Sequence, residues 1–369
     1  MKRVLISILA RVKGNVNANG TIAALTEIKK FFTTEGETRV YVSGRCVKYC
    51  IKQRLIEKGF SLSPLARSEE RGQRVLLPEG NPIKNIDDDL FGYLIPAEER
   101  KRFAPIKTDG IVALKHCEIT RDFAGRFDPS GKEDTSPFEI EVADFIGQNN
   151  WILNENIGKF VYQKIKRERR EIETEIKQSM VEEARNSGIN LSETDLGDGI
   201  KEYALPLDER KNRLKAFLEV LLKERYTFPR SATGLHQPHY YYAVILPTER
   251  LLPLFAHIDY EVKNGKVRLN IDKIEDLGSL LMDGEKVTIV DFEHVLDEEV
   301  KLRIENYRKR IEELENKLKS ANGEELKKKL ENEKQELEHR IKTLEAIEIV
   351  NPYKINNVID KITDYLVGA

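Results

Sequence analysis

Residues 3–12, R-V-L-I-S-I-L-A-R-V, form an almost unbroken apolar run rich in Leu, Ile and Val, and the polar stretch Gly14 to Thr21 ends it. A strand followed by a long polar loop is expected there. A short segment to Phe32, an E-G-E turn at 35–37 and a strand from Thr38 to Val42 come next. After the Ser43-Gly44 break, Val47, Ile51 and Leu55 recur at helical spacing, which predicts a helix. The order β-loop-β-α is the opening half of a ferredoxin-like unit.

Pro64, Gly72, Pro78, Gly80 and Pro82 mark 61–85 as loop, and order resumes at D-D-D-L-F-G-Y-L, Asp87 to Leu94. Residues 103–119 alternate as a strand. Residues 120–137 mix glycine, proline and charges around Phe123 and Phe127, which predicts an exposed excursion. Alternation returns over 138–162, while 163–187 and 207–226 are highly charged with helical spacing and are expected to be helices. The aromatic run Tyr240–Leu246 and the segment 286–292 read as buried strands.

Residues 297–348 differ in kind. Ile304, Tyr307, Ile311, Leu314 and Leu318 keep a 3-4 spacing up to the Ala321–Gly323 break, and Leu326, Leu330, Leu337, Ile341 and Leu344 resume it. Two arms folded back as an antiparallel helical hairpin satisfy both seams. One uninterrupted coiled coil is disfavoured, because Gly323 costs about 1 kcal/mol against Ala in mid-helix.

Charge adds what periodicity cannot. Residues 1–60 hold twelve Lys/Arg against four Asp/Glu, a local +8, while the chain sums to −2, so the remainder carries −10. Such segregation implies a partner. The helix after Ser43 bears Arg45, Lys48, Lys52 and Arg54 around its apolar face, and its start offers free backbone N–H groups to phosphate. No run of about 18 apolar residues occurs and the amino end lacks the features of a signal peptide, so a cytoplasmic protein without membrane contact is expected. Cys46, Cys50 and Cys117 make no disulfide framework and read as reduced core residues.

Motifs for chemistry are sparse. Gly14–Thr21 is neither a Walker loop nor a dinucleotide fingerprint. Asp87, Asp88 and Asp89 are consecutive and point in different directions, so a helix-start cluster is the plainer reading than a metal site. His236 and His239 lack a partnering Cys pair or H-E-x-x-H context. No nucleophile elbow is present, and neither an enzyme nor a cofactor is expected.

Four segments in order, L-I-S-I-L-A-R-V-K-G-N-V-N-A-N-G-T, Y-V-S-G-R-C-V-K-Y-C-I-K, D-D-L-F-G-Y-L and F-E-I-E-V-A-D-F-I-G, resemble the backbone subunit of type I CRISPR surveillance complexes (Cascade), of the Cst/DevR type associated with subtype I-B. The resemblance covers most of 1–295 and implies an α+β chain with an RRM-like (ferredoxin-like) core carrying large insertions, described as palm, fingers and thumb. The thumb corresponds to about 120–137 and a helical insertion to about 163–226, all within a first domain of 1–296. The hairpin 297–348 and a C-terminal helix in 349–369 follow. The family implies a non-catalytic protein that polymerises head to tail along guide RNA (crRNA) beside other Cascade subunits and presents it to target DNA in antiviral defence. By position, the implied RNA contacts are Lys13, Asn15, Asn17, Ser43, Arg45, Lys48 and Lys52, then Arg121, Phe123, Arg126 and Phe127 in the thumb, and Arg230, Ser231 and His236 in a later loop.

Two departures stand out. Related type III subunits carry a target-cutting aspartate in the first loop, where this chain has Asn15, Asn17 and Asn19. The 297–348 hairpin has no counterpart in the family pattern. The alternatives are a metal-dependent nuclease using Asp87–Asp89, and a coiled-coil assembly factor acting through the hairpin.

Overall fold

The computed structural model describes residues 1–15, 18–22, 25–70, 73–126, 128–132, 136–167, 170–229, 236–321 and 323–368. The fold is mixed α+β. Its main sheet runs Glu348–Val350, Thr288–Asp291, His239–Thr248, Arg3–Gly14, Ser136–Asn154, Ile106–Ala113, Thr38–Ser43 and Lys30–Phe32 from one edge to the other. Adjacent strands are antiparallel except at the first pair, Thr288–Asp291 with Glu348–Val350.

Strand Arg3–Gly14 lies at the centre, which explains its near-continuous apolar sequence. Val4, Ile6, Ile8, Ala10 and Val12 face one side, where helices Gly44–Glu57, Leu207–Leu218 and Ile355–Val367 bury Val47, Ile51, Leu55, Leu214, Phe217, Ile359 and Ile362. Trp151 closes edge-on against Phe217 with ring centroids 5.4 Å apart. Leu5 and Leu9 face the other side, over Leu254, Ile274, Leu277, Val300 and Leu344. Each face thus has its own core.

Strand Ser136–Asn154 is long enough to serve two structures. Its second half is paired on both sides within the main sheet, and its first half pairs with Ile119–Arg126 to form an arm. The hairpin of Ala18–Ile22 and Leu25–Ile28 lies along that arm, with Leu25 and Thr26 parallel to Glu139 and Ile140.

Three expectations are corrected. The stretch 14–21 is not wholly loop, because Ala18–Ile22 is a strand held by its hairpin partner. Within 61–85, Leu65–Glu70 and Gln73–Pro78 form a two-stranded ribbon. The helix expected over 163–187 is instead strands Lys159–Arg167 and Arg170–Glu173 followed by helix Gln178–Asn186. Those strands join Ser192–Gly197 and Ile200–Ala204 in a separate four-stranded sheet over Phe160, Tyr162, Ile176, Val181 and Tyr203. Burial against one face overrides the local propensity of a lysine- and glutamate-rich segment.

Helices Leu296–Ser320 and Glu324–Glu345 lie antiparallel, joined by ion pairs Arg308–Glu345, Arg310–Glu333 and Lys334–Glu315. Their base is fixed to helix Ile271–Gly278 by Glu275, which receives Arg303 Nε at 2.7 Å, Arg340 Nη1 at 3.1 Å and the Tyr307 hydroxyl at 2.9 Å. No helix among the described residues is long and apolar enough to cross a membrane.

Candidate nucleic-acid interface

Helix Gly44–Glu57 starts where the strand Thr38–Ser43 ends. Ser43 adopts extended backbone and its Oγ accepts from Cys46 N at 3.4 Å, capping one of the free N–H groups of the first turn. No acidic residue occupies that turn, so its positive dipole end is uncompensated from within the helix. A bulge between Thr108 and Gly110 brings the neighbouring strand against the helix start. Gly110 has φ +99°, and a Cβ there collides with the carbonyl oxygen of Val42. Only glycine lets the two segments close up.

The basic residues around this helix divide into two groups. Lys52 Nζ lies 2.7 Å from Asp87 Oδ2, Arg54 is paired with Glu57, and Lys58 sits 2.6 Å from Glu219 and 2.7 Å from Glu224. The carboxyl-terminal half of the helix is thereby neutralised. Elsewhere in the basic segment Arg11 is matched by Asp144, Lys30 by Glu141 and Arg39 by Glu37. Six of the twelve amino-terminal cations are therefore in ion pairs among the described residues, most with acids far along the chain.

Arg45 and Lys48 form the second group; Lys13 stands apart from the helix, at the end of the first strand opposite Asp144. Arg45 and Lys13 are exposed, and none of the three has an ion-pair partner among the described residues. Lys48 is half-buried with its ammonium 5.4 Å from the centre of the Phe91 ring, and Lys52 lies 6.0 Å from the same ring. Burial, reinforced by Lys52 and Lys107, lowers the Lys48 pKa below the ordinary lysine value. A cation in that position gains from an incoming anion. Lys107, exposed on the strand beside the helix start, belongs to this cluster and carried no sequence signal of its own.

The D-D-D-L-F segment is the floor of the site. Asp87 takes Lys52 and the Ser63 amide at 2.8 Å; Asp88 takes the Asn81 amide at 2.9 Å. Asp89, fully buried, takes Arg102 at 2.7 Å, Arg213 at 2.9 Å and the Gly158 amide at 3.0 Å. The three carboxylates point to three different partner sets. Desolvation, first among several causes, pushes Asp88 up to about 6. No grouping of metal-ligating side chains occurs among the described residues.

The remaining expected contacts fall in several places. Asn15 is buried, with its amide donating to Glu141 O at 2.7 Å, so its side chain ties the arm to the first strand rather than facing solvent. His236 stands over Gly14, where a Cβ would lie 3.0 Å from the imidazole, which brings the later loop to the end of the first strand beside Lys13. Arg121 and Phe123 are exposed on strand Ile119–Arg126, two residues apart and thus on one face of the arm. Arg121 lies 3.8 Å from Glu139. Arg126 ends that strand, opposite Ser136. Asn17, Phe127, Arg230 and Ser231 lie outside the described residues.

Residues 8–245 match the family described as CRISPR-associated negative auto-regulator DevR/Csa2, well over half of the chain. The chain belongs to the DevR/Csa2 family. Among solved structures, a CRISPR RNA-guided surveillance complex in a pre-nicking state contains a chain with TM-score 0.51 and 10% identity, covering 97% of this chain and 99% of that one. Another CRISPR RNA-guided surveillance complex gives TM-score 0.46 at 11% identity over 80% and 90% of the two chains. No curated protein matches. At 10% identity the first likeness speaks for a shared fold along almost the whole DevR/Csa2 chain.

Proposed function

We propose that this DevR/Csa2 protein is a non-catalytic subunit of a CRISPR RNA-guided surveillance complex. It grips guide RNA by its sugar-phosphate backbone, repeats head to tail along it, and presents it for pairing with target DNA. The observation that carries this reading is Lys48, a half-buried cation with no ion-pair partner among the described residues, set near Arg45 and Lys107 in the first turns of a helix. Backbone-directed cations bind any sequence, as a guide with a variable spacer requires.

The palm is read as RRM-like. Strands His239–Thr248, Arg3–Gly14, Ser136–Asn154 and Ile106–Ala113 lie side by side, antiparallel, with helices Gly44–Glu57 and Leu207–Leu218 between the first and second and the third and fourth strands in chain order. That is the βαββαβ arrangement of a ferredoxin-like unit. The arm at Ile119–Arg126, with exposed Phe123, is read as the thumb.

The solved surveillance complex in a pre-nicking state, with which the chain shares its fold, supports the assembly role. Against a nuclease at Asp87–Asp89 stands the commitment of all three carboxylates to internal partners. Co-expression with a guide transcript, followed by electron microscopy, tests the proposal. Regular filaments with protected RNA are expected; a monomer free of RNA refutes it.

A further inference from the structure

The helical hairpin separates its charge along its length. Within 297–348, thirteen Lys/Arg stand against fifteen Asp/Glu. Five of those cations, Lys317, Lys319, Lys327, Lys328 and Lys329, and only two of the acids, Glu324 and Glu325, fall in the tip segment 317–329. The tip is therefore +3 and the rest of the hairpin −5.

Two of the tip lysines have a structural reason. Lys317 and Lys319 lie in the last turn of helix Leu296–Ser320, where cations complement the dipole. Glu324 and Glu325 do the same for the first turn of the second helix. Lys327, Lys328 and Lys329 lie near the amino end of their helix, where positive charge gains nothing from the dipole, and each stands four residues from a glutamate, Glu331, Glu324 and Glu325 in turn, without closing an ion pair with it. All three are exposed and without an ion pair among the described residues, although Glu324 and Glu325 stand one turn before Lys328 and Lys329. The stem contrasts with this, its cations Arg308, Arg310 and Lys334 being paired across the seam.

The tip is also remote from the cluster at Lys48. The hairpin leaves the sheet beside Thr288–Asp291, and the basic helix begins at Thr38–Ser43, with four strands between them. At about 4.8 Å per strand the two edges are roughly 24 Å apart. The first hairpin helix, 25 residues long, extends about 37 Å at about 1.5 Å per residue. Anchored at Glu275, it presents its tip as a second positive site.

We infer that the tip lysines Lys327, Lys328 and Lys329 bind the phosphate backbone of duplex DNA, independently of base sequence. Successive helical positions are about 100° apart, so the three ammonium groups fan over about 200°. That fan suits two phosphate rows flanking a groove better than one extended strand. A duplex also offers about twice the charge per unit length of a single strand. This site stands apart from the guide-RNA reading and does not depend on it.

The test compares the full-length protein with its Lys327/Lys328/Lys329→Ala variant. Alanine is the strongest helix former, and far-UV circular dichroism checks that the hairpin is retained. Binding of a short DNA duplex of arbitrary sequence is measured across a salt series, in parallel with single-stranded RNA. The expected result is a loss of about tenfold or more in duplex affinity, with the slope of log affinity against log salt shallower by up to about 2.7, and RNA binding unchanged. Lys48→Ala serves as the opposite control, weakening RNA and sparing the duplex. Unchanged duplex binding in the triple variant overturns the inference, as does a loss confined to RNA. If the wild-type protein binds duplex through the tip but no RNA, the guide-RNA reading fails and this one stands.

Discussion

Lys52 Nζ sits 2.7 Å from Asp87 Oδ2, so a cation in the middle of the basic helix is held by an acid 35 residues further along. Its neighbour one turn earlier, Lys48, has no such partner among the described residues. Two lysines of similar placement thus have different surroundings. Lys52→Ala leaves Asp87 buried with the Ser63 amide as its one remaining hydrogen-bond donor among the described residues and is expected to lower stability by about 1–3 kcal/mol. Lys48→Ala is expected to leave the melting temperature unchanged or raise it, while weakening RNA binding. Thermal melts and RNA titrations of the two variants separate these roles.

Lys48 also predicts a pH dependence. Burial lowers its pKa, so its charge is lost earlier on the alkaline side than that of an ordinary lysine. On the proposed role, its share of RNA affinity should be present at neutral pH and decline as pH rises through the lowered value. In Lys48→Arg the guanidinium stays charged, and that share of the decline should vanish. Titrations from neutral to alkaline pH check the difference.

Asp88, raised to about 6 from an ordinary 3.8, works in the opposite sense to a salt-bridged acid. The folded protein holds this proton more tightly than the unfolded chain. Its contribution to stability is therefore full below about 3.8 and lost as pH rises through about 6. Asp88→Asn should flatten that part of the stability profile and be neutral or stabilising at pH above 7. Denaturant melts of both proteins across this range give the answer, and a metal-dependent nuclease built on Asp88 predicts instead that Mg²⁺ stabilises only the wild type.

At the helix start, Gly110→Ala forces a Cβ onto Val42 and into a left-handed backbone region. A cost of about 1–3 kcal/mol for the strained backbone is expected before the collision is counted. Because the bulge positions Ser43, Gly44 and the helix amino end, RNA affinity should fall even where the protein remains folded. Measuring both quantities on the same sample distinguishes this from simple unfolding.

Phe123 is exposed on the arm and belongs to none of the hydrophobic cores among the described residues. Phe123→Ala should leave stability within about 0.5 kcal/mol of wild type. If the arm wedges between bases, the spacing of nuclease-accessible nucleotides along bound RNA changes in that variant, and footprinting reads it directly.

The local patterns were legible. The apolar run at 3–12, the Val47, Ile51 and Leu55 spacing and the seams through Leu314 and Leu344 each lie in the corresponding strand, helix or hairpin. Elements stabilised from elsewhere were not. Ala18–Ile22 is rich in residues with little strand preference and persists through pairing, and Lys159–Glu173 hides Phe160, Tyr162 and Ile172 among charges. The net charge of the amino-terminal segment overstates its unpaired charge for the same reason, since Asp87, Glu141, Asp144, Glu219 and Glu224 neutralise part of it from a distance. Lys107 could have been found only by knowing which strand lies beside the helix start.

The most direct measurement is the affinity of the purified protein for several unrelated single-stranded RNAs over a salt series, beside a variant with Lys13, Arg45, Lys48 and Lys107 replaced by alanine. Equal affinities for all sequences and a slope near −3 per protomer are expected, from four phosphate contacts at about 0.7 each, falling toward zero in the variant. Affinities that differ strongly with sequence, or a slope that the four substitutions leave unchanged, would contradict the guide-RNA reading.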